Sequence, residues 1–251
     1  MSAPDYSPFA QEYARARPRY PVELFAYLAS LVDRRDLAWD AATGNGQAAH
    51  GLAAHFARVV ATDVSAGQIG QAMPHPRIEY RVAESERSGI DDHSVDLVTV
   101  ATAIHWFDRD AFFAEARRTL RPGGVLAAWS YHVGYVHPPF DRLFRRFYFD
   151  VLYPYFPAGA RLVDDRYESL RLPGDTVDGP DWSIRVEWNL DQLLAFISSW
   201  SGTQKYLEAR GENPVDRVAD ELRELWGERA TVREVRWPLF TRIARLEAPR
   251  T

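Results

Sequence analysis

The chain has no cysteine, so disulfides, zinc–thiolate sites, iron–sulfur clusters and a thiol nucleophile are excluded together. Lysine is almost missing as well. Of 30 basic residues only Lys205 is not arginine, which reads as genomic base composition rather than as function. No apolar run approaches the ~18 residues of a membrane-spanning helix, so no membrane partner is expected. The opening MSAPDYSPFA lacks a basic start followed by an apolar stretch, so no signal peptide is expected and the cytoplasm is the expected compartment. A net charge of −5 supplies no basic surplus for nucleic acid. Nor does the chain show internal repeats or a low-complexity linker. His50 and His55, at i and i+5, fall on different helix faces, and no other His/Asp/Glu cluster has ligand spacing, so no metal is expected.

What is present is an ordinary globular balance: 251 residues, 46% hydrophobic and 26% charged. That length suits one elaborated domain with a substantial core. Short apolar runs alternate with helix-period stretches over the first 130 residues, the pattern of stacked β-α units and a parallel sheet. Strands are expected at Leu37–Asp40, Val59–Asp63, Ile78–Val82, Val95–Ala101 and Val125–Ser130. Helices are expected over Gln47–Ala57, with Ala48, Leu52 and Phe56 on one face, and over Asp110–Leu120, with Phe112, Ala116 and Leu120. Pro122-Gly123-Gly124 then reads as a stop and turn into the fifth strand.

Past Tyr131 the character changes. Residues 131–206 hold about half of the chain's aromatics, more than a sheet repeat needs, and read as a cap packed over the sheet. Phe140, Leu143, Phe144, Phe147 and Val151 share a helical face until Tyr153-Pro-Tyr-Phe-Pro breaks it. Most of these rings are expected to fill the cap's own core. Ser201 and Gln204, three residues apart, read as a capping box. Near the end, Asn213-Pro214 starts a helix and Gly227 stops it. Val232–Trp237 and Leu239–Leu246 then read as an antiparallel hairpin around Pro238.

The sharpest local signal is WDAATGNGQ, residues 39–47: an apolar strand ends in an acid, a glycine turn follows and a helix begins. Glycine lets backbone approach a ligand closely or take positive φ, and a helix start offers unpaired N–H groups. The same stretch also satisfies the G-x-G-x-x-A dinucleotide fingerprint, with Asp63 seventeen residues past Gly46. Three features weigh against that reading. Asp40 sits where a pyrophosphate wants no negative neighbour, Glu84 and Glu86 follow the third strand, and Pro122-Gly123-Gly124 precedes the fifth.

Taken in order, DAATGNGQ (40–47), VVATDVS (59–65), ESE (84–86), SVDLVTVATAIHWF (94–107) and LRPGGVLAAWSY (120–131) make the chain resemble the class I S-adenosylmethionine-dependent methyltransferases. Within them it is similar to the small-molecule type 11 group that includes trans-aconitate methyltransferase-like proteins. ARPRYP (16–21), SWSGTQKYL (199–207), WG (226–227) and RWPL (236–239) match one branch of that group. The resemblance implies a Rossmann-like, doubly wound α/β fold, with a mostly parallel sheet of about seven strands. It also implies an aromatic-rich helical cap inserted after the fifth strand. A single domain would then comprise an N-terminal helical segment (1–36), a cofactor-binding core (37–130), a cap for substrate (131–212) and a last helix with the final strand pair (213–251).

The resemblance also implies residue roles, with S-adenosylmethionine as cofactor. Asp40, Ala41, Ala42 and the turn Gly44-Asn45-Gly46-Gln47 hold the methionyl end; Asp63 accepts the ribose hydroxyls; Val64 and Gln68 line the adenine. Glu84 accepts from the adenine amino group and the Ser85 N–H donates to a ring nitrogen, while Ala101 and Trp106 lie at the end of the fourth strand, Trp106 facing the sulfonium. Ser65 is the alternative helix cap that frees Asp63 for this work. Arg17, His105 and Tyr131 are the residues placed toward the substrate: Arg17 to clamp a carboxylate of substrate or cofactor, the other two to help with a proton. The partner is then a small, anionic molecule whose carboxylate takes the methyl without a general base, or a phenol or amine for which His105 or Tyr131 must help with the proton; the sequence does not choose between them. Where the family has glycine this chain has Ala42, whose methyl crowds the cofactor's methionine part. Two alternatives stay open: an NAD-dependent oxidoreductase using the same glycine loop, and a non-catalytic S-adenosylmethionine-binding protein.

Overall fold

The computed structural model describes residues 18–228 and 230–246, so Arg17 lies outside the described residues. Helix α1 (Val22–Ser30) leads into β1 (Leu37–Ala41), α2 (Gln47–Ala53), β2 (Arg58–Asp63), the short α3 (Ala66–Gly70) and β3 (Ile78–Val82). The chain then returns through β4 (Val95–Ala101), α4 (Arg109–Thr119) and β5 (Leu120–Tyr131). With the later strands β6 (Asp175–Thr176) and β8 (Arg233–Arg245), the order across the sheet is β3-β2-β1-β4-β5-β8-β6, parallel from β3 to β5. The sequence therefore runs outward from β1 in both directions. That reversal opens a crevice above the carboxyl ends of β1 and β4, the place where open α/β sheets bind ligands.

Both faces of the sheet are covered, which is why its central strands are continuous apolar runs. One core packs Leu24, Phe25 and Leu28 of α1, Leu52 and Phe56 near α2, and Trp129 of β5 with the aromatic residues that follow β5. The other packs Trp39 of β1 and Val98 of β4 against Phe112 and Ala116 of α4. At the amino edge the buried Asp96 carboxylate accepts from the Asp36 and Leu37 N–H groups (2.8 and 3.0 Å) and pairs with Arg121.

The segment after β5 comprises α5 (Pro138–Phe147), which runs on as a π-helical turn over Tyr148–Leu152 and a 3-10 turn at Tyr153–Tyr155. Next come α6 (Arg161–Asp164), β6 (Asp175–Thr176), β7 (Ser183–Trp188), α7 (Leu190–Ser198) and α8 (Ser201–Arg210). The segment is thus not purely helical. A 3-10 turn (Pro214–Arg217), α9 (Ala219–Trp226) and β8 (Arg233–Arg245) complete the described chain.

Three expectations need correction. The final strands are antiparallel, but Val232–Trp237 and Leu239–Leu246 are not a hairpin: β8 is one continuous strand. Its first half pairs with β7 up to Ser183↔Pro238, and its second half pairs with β5 from Tyr131↔Leu239. Pro238 sits at the changeover, where a strand tolerates a residue without an N–H. Ser201 and Gln204 form no capping box. Trp200 is the N-cap, and Gln204 Nε2 donates instead to the Ser198 carbonyl at 2.7 Å. The capping box in this region belongs to Asn189 and Gln192. Finally, Pro122-Gly123-Gly124 is a bulge within β5, across the register shift between Val95 and Leu97, rather than a turn before it.

Candidate functional site

A cavity of about 540 Å³ opens at the carboxyl edge of the sheet, between the strand ends and the segment after β5. Its floor is the β1–α2 loop. The Thr43 N–H donates to the Thr62 carbonyl (2.9 Å) and the Gly46 N–H to the Thr43 carbonyl (3.0 Å), which bends the loop back over β2. Gly46 takes φ +89°, and a Cβ there would strike the Tyr80 hydroxyl, so only glycine allows this loop to close onto β3.

Asp63 ends β2 beside this loop. Its Oδ2 accepts from the Gly44 N–H (2.9 Å) and its Oδ1 from the Ser65 N–H (2.8 Å). Burial pushes its pKa up, while the two N–H groups pull it down. Ser65 caps α3, accepting from the Gln68 N–H at 3.3 Å, as the sequence suggested. Gln68 is buried and lines the cavity, and its Oε1 has no hydrogen-bond partner. Buried amide oxygens are ordinarily paired, so this one keeps its acceptor capacity unused by the protein. Val64, half exposed at 51%, offers an apolar surface on the same rim.

Most of the expected site residues converge here. Ala42, Gly44, Asn45, Gln47, Asp63, Val64, Gln68, Glu84, Ser85, Ala101, His105, Trp106 and Tyr131 all line the cavity. Glu86 lines it too, but its Oε1 accepts from the Asp108 N–H (3.1 Å) where α4 begins. Asp40, Ala41 and Gly46 do not reach the wall. Asp40 is fully buried beneath the loop, where Thr43 donates to its Oδ2 (2.6 Å) and Thr99 to its Oδ1 (2.8 Å). Burial raises its pKa to about 6. Among the described residues no group of His, Asp or Glu could hold a metal ion, and no helix is long and apolar enough to cross a membrane.

Residues 39–128 match the family model for a methyltransferase domain. A solved structure from Anaeromyxobacter dehalogenans, assigned as a type II methyltransferase, is 38% identical to this chain. The match covers 92% of this chain and 99% of that one, with a TM-score of 0.85. The chain belongs to the methyltransferases. S-adenosylmethionine is the cofactor of this methyltransferase. A Dictyostelium discoideum protein assigned as a methyltransferase is 29% identical over 221 residues, covering 86% of this chain and 84% of its own. An uncharacterized methyltransferase of Mycobacterium bovis is 36% identical over 120 residues, about half of each chain (47% and 49%).

Ala42 of this methyltransferase sits at φ +52°. An L-residue pays about 1–2 kcal/mol in the left-handed region, part of which returns when glycine gains freedom in the unfolded chain. Ala42→Gly is therefore expected to stabilise the fold by about 0.5–1 kcal/mol. It should also tighten cofactor binding, because Ala42 lines the cavity. Thermal melting reads the first effect and titration calorimetry with S-adenosylmethionine the second. Coincident melting curves would mean that the loop carries no strain at this position.

The far half of the cavity was expected as a cap for substrate, but most of its lining residues were not singled out. Tyr20 and Thr102 share a hydroxyl contact of 3.0 Å at the wall, and the Tyr20 ring stands edge-on to Trp129. Thr102 takes φ +58°, rare for a β-branched residue and the kind of strain that collects at ligand sites. His132, Tyr148, Phe156, Trp200 and Ser201 line the same half. Two signals pointed this way: Tyr20 lies in ARPRYP and Trp200-Ser201 in SWSGTQ. Gly159 lets the segment after β5 close, since a Cβ there would run into the His105 carbonyl.

Proposed function

We propose that this enzyme methylates a small organic molecule held in the aromatic half of the cavity, with S-adenosylmethionine in the half built on the β1–α2 loop and Asp63. The observation that carries the reading is the division of one cavity into two chemistries. Near the sheet edge it presents the carboxylates of Asp63 and Glu84 beside Glu86, an unpartnered buried acceptor on Gln68 and the exposed Val64. Beyond it the wall is aromatic, with Tyr148, Phe156 and Trp200.

In this reading Asp63 takes the ribose hydroxyls with the lone pairs left over from Gly44 and Ser65, since each carboxylate oxygen accepts twice. Val64 packs against the adenine, and Gln68, Glu84 and Ser85 supply its polar contacts. Asn45 and Gln47 face the amino-acid end, with Asp40 fixing the loop from below through Thr43. Trp106 presents a ring on which a cation is attracted. When bound, the cofactor supplies an activated methyl group with its own leaving group. The protein's part is to position the acceptor and exclude water.

A carboxylate acceptor is less well supported than the family resemblance suggests. It would lose water on entering and need a paired cation, and no arginine or lysine is among the described residues of the wall. Arg17, the residue expected to supply one, lies outside the described residues. The test of the general reading is direct. Calorimetry should show S-adenosylmethionine binding and no NAD binding. Labelled methyl should then pass to small aromatic acceptors and not to protein or nucleic acid. Binding of NAD in place of S-adenosylmethionine would overturn it.

A further inference from the structure

His132 is the first residue past β5 and lines the aromatic half of the cavity. Its Nε2 lies 2.8 Å from Asp164 Oδ1, at the end of α6. The Tyr148 hydroxyl approaches the same oxygen at 3.3 Å. Burial and the Asp164 carboxylate both push the Tyr148 pKa up, so its hydroxyl keeps its proton and donates. Two donors thus meet on one carboxylate oxygen. The imidazole is further held by rings on two sides, Tyr148 edge-on at 4.7 Å and Phe149 at 5.9 Å. Tyr153 also faces Asp164, and Arg161 in turn faces Tyr153.

This arrangement fixes the tautomer. A neutral imidazole that donates from Nε2 to a carboxylate carries its lone pair on Nδ1. A histidine oriented by a carboxylate, at the wall of an apolar pocket, is the pattern of a general base with its orienting partner. The two groups are 32 positions apart on different elements; His132 lines the cavity, and Asp164 stands behind it, off the wall.

We propose that His132, oriented by Asp164, is the catalytic base of this enzyme, and that its acceptor is a ring-borne hydroxyl that arrives still protonated. The proposal rests on reading the aromatic half of the cavity as the acceptor compartment. Proton and electrons balance simply. The acceptor O–H proton passes to His132 Nδ1, an O–C bond to the methyl forms, and the C–S bond breaks with its electron pair staying on sulfur. An ordinary phenol has a pKa of about 10 and needs this help near neutrality, whereas a carboxylate or an acidic phenol does not. The aromatic wall accepts a flat neutral ring at little desolvation cost. Asp164 is a positioning residue, not a catalytic one.

The experiment compares three probes, 4-methoxyphenol, 4-nitrophenol and benzoate, on the wild type, His132→Gln, Asp164→Asn and His105→Gln. In His132→Gln, turnover of 4-methoxyphenol should fall by about 100-fold or more, the scale of general-base catalysis. Turnover of 4-nitrophenol, which ionises near neutral pH by itself, should change by only a few-fold. Nitrogen NMR of the His132 ring in the wild-type protein should show the Nε2–H form. Asp164→Asn should mix the tautomers, and 4-methoxyphenol should shift the Nδ1 signal. S-adenosylmethionine affinity should be the same in all four proteins. Equal loss on both phenols would make the His132–Asp164 pair a structural clasp and overturn the proposal. So would selective loss in His105→Gln instead, methylation of benzoate alone, or an Nδ1 signal indifferent to 4-methoxyphenol. A wild-type protein that binds S-adenosylmethionine yet methylates none of the three also overturns it while leaving the cofactor site standing. Failure to bind the cofactor would instead strike the underlying reading.

Discussion

Asp63→Ala is expected to weaken S-adenosylmethionine binding by about 1–3 kcal/mol, the scale for losing a charged hydrogen-bond partner. The carboxylate is already committed on one side to two backbone donors, Gly44 and Ser65. That commitment holds it rigid and turns its free lone pairs to the cavity it lines. Asn is no gentle replacement, because its NH₂ group would be set against one of those two N–H donors. The alanine variant also leaves the Gly44 N–H without its acceptor, so the loop should loosen and a modest loss of stability should accompany the loss of affinity. Calorimetry separates the two effects. Thermal melting with and without cofactor gives a second reading, since a ligand stabilises the fold in proportion to the logarithm of its occupancy ratio. Unchanged affinity in a folded variant would remove Asp63 from the cofactor site.

The half of the site at the sheet edge was readable because topology gathers strand ends. Residues there follow strands readable in the sequence, as with VVATD before Val64 and VDLVTVA before Trp106. Knowing the strand order is then enough to bring Asp63, Glu84 and Trp106 together. Asp40 shows the limit of such reasoning. Its place near the end of β1 was legible, but Thr43 and Thr99 turn its carboxylate inward, and although both lie inside the motifs read from the sequence, nothing there shows that their hydroxyls meet Asp40. The aromatic half had no such guide. Tyr20, Tyr148, Phe156 and Trp200 come from separate segments, and ring packing chooses which of many aromatics face the cavity. The β7 strand was missed for a related reason. SIRVEW alternates with period two, yet it lies among helical, aromatic-rich neighbours that drew the reading toward a helical cap.

The Asp40 carboxyl is expected to make the fold less stable as pH rises through about 6. Burial is the largest influence on it; the hydroxyls of Thr43 and Thr99 and the Ala49 N–H offset part of that, and nearby Asp63 adds to it. The sign follows from the direction of the shift. A carboxyl whose pKa is raised on folding binds its proton more tightly in the native state. Its contribution is fully present below the unfolded value, near 3.8, and is lost as pH climbs through about 6. Each pKa unit is worth about 1.4 kcal/mol, so charging this group costs on the order of 1–3 kcal/mol at neutral pH. Asp40→Asn removes the charge and keeps the shape, and one of the two threonine hydroxyls can rotate to accept from the new amide. The variant should therefore match the wild type at about pH 4 and exceed it by about 1–3 kcal/mol at about pH 8. Urea unfolding across that range measures the difference, and since Asp40 does not line the cavity, the gain should appear without any ligand present. Two stability curves that stay parallel from acid to base would show that Asp40 keeps an ordinary carboxylate's pKa, and that its hydrogen bonds outweigh its burial.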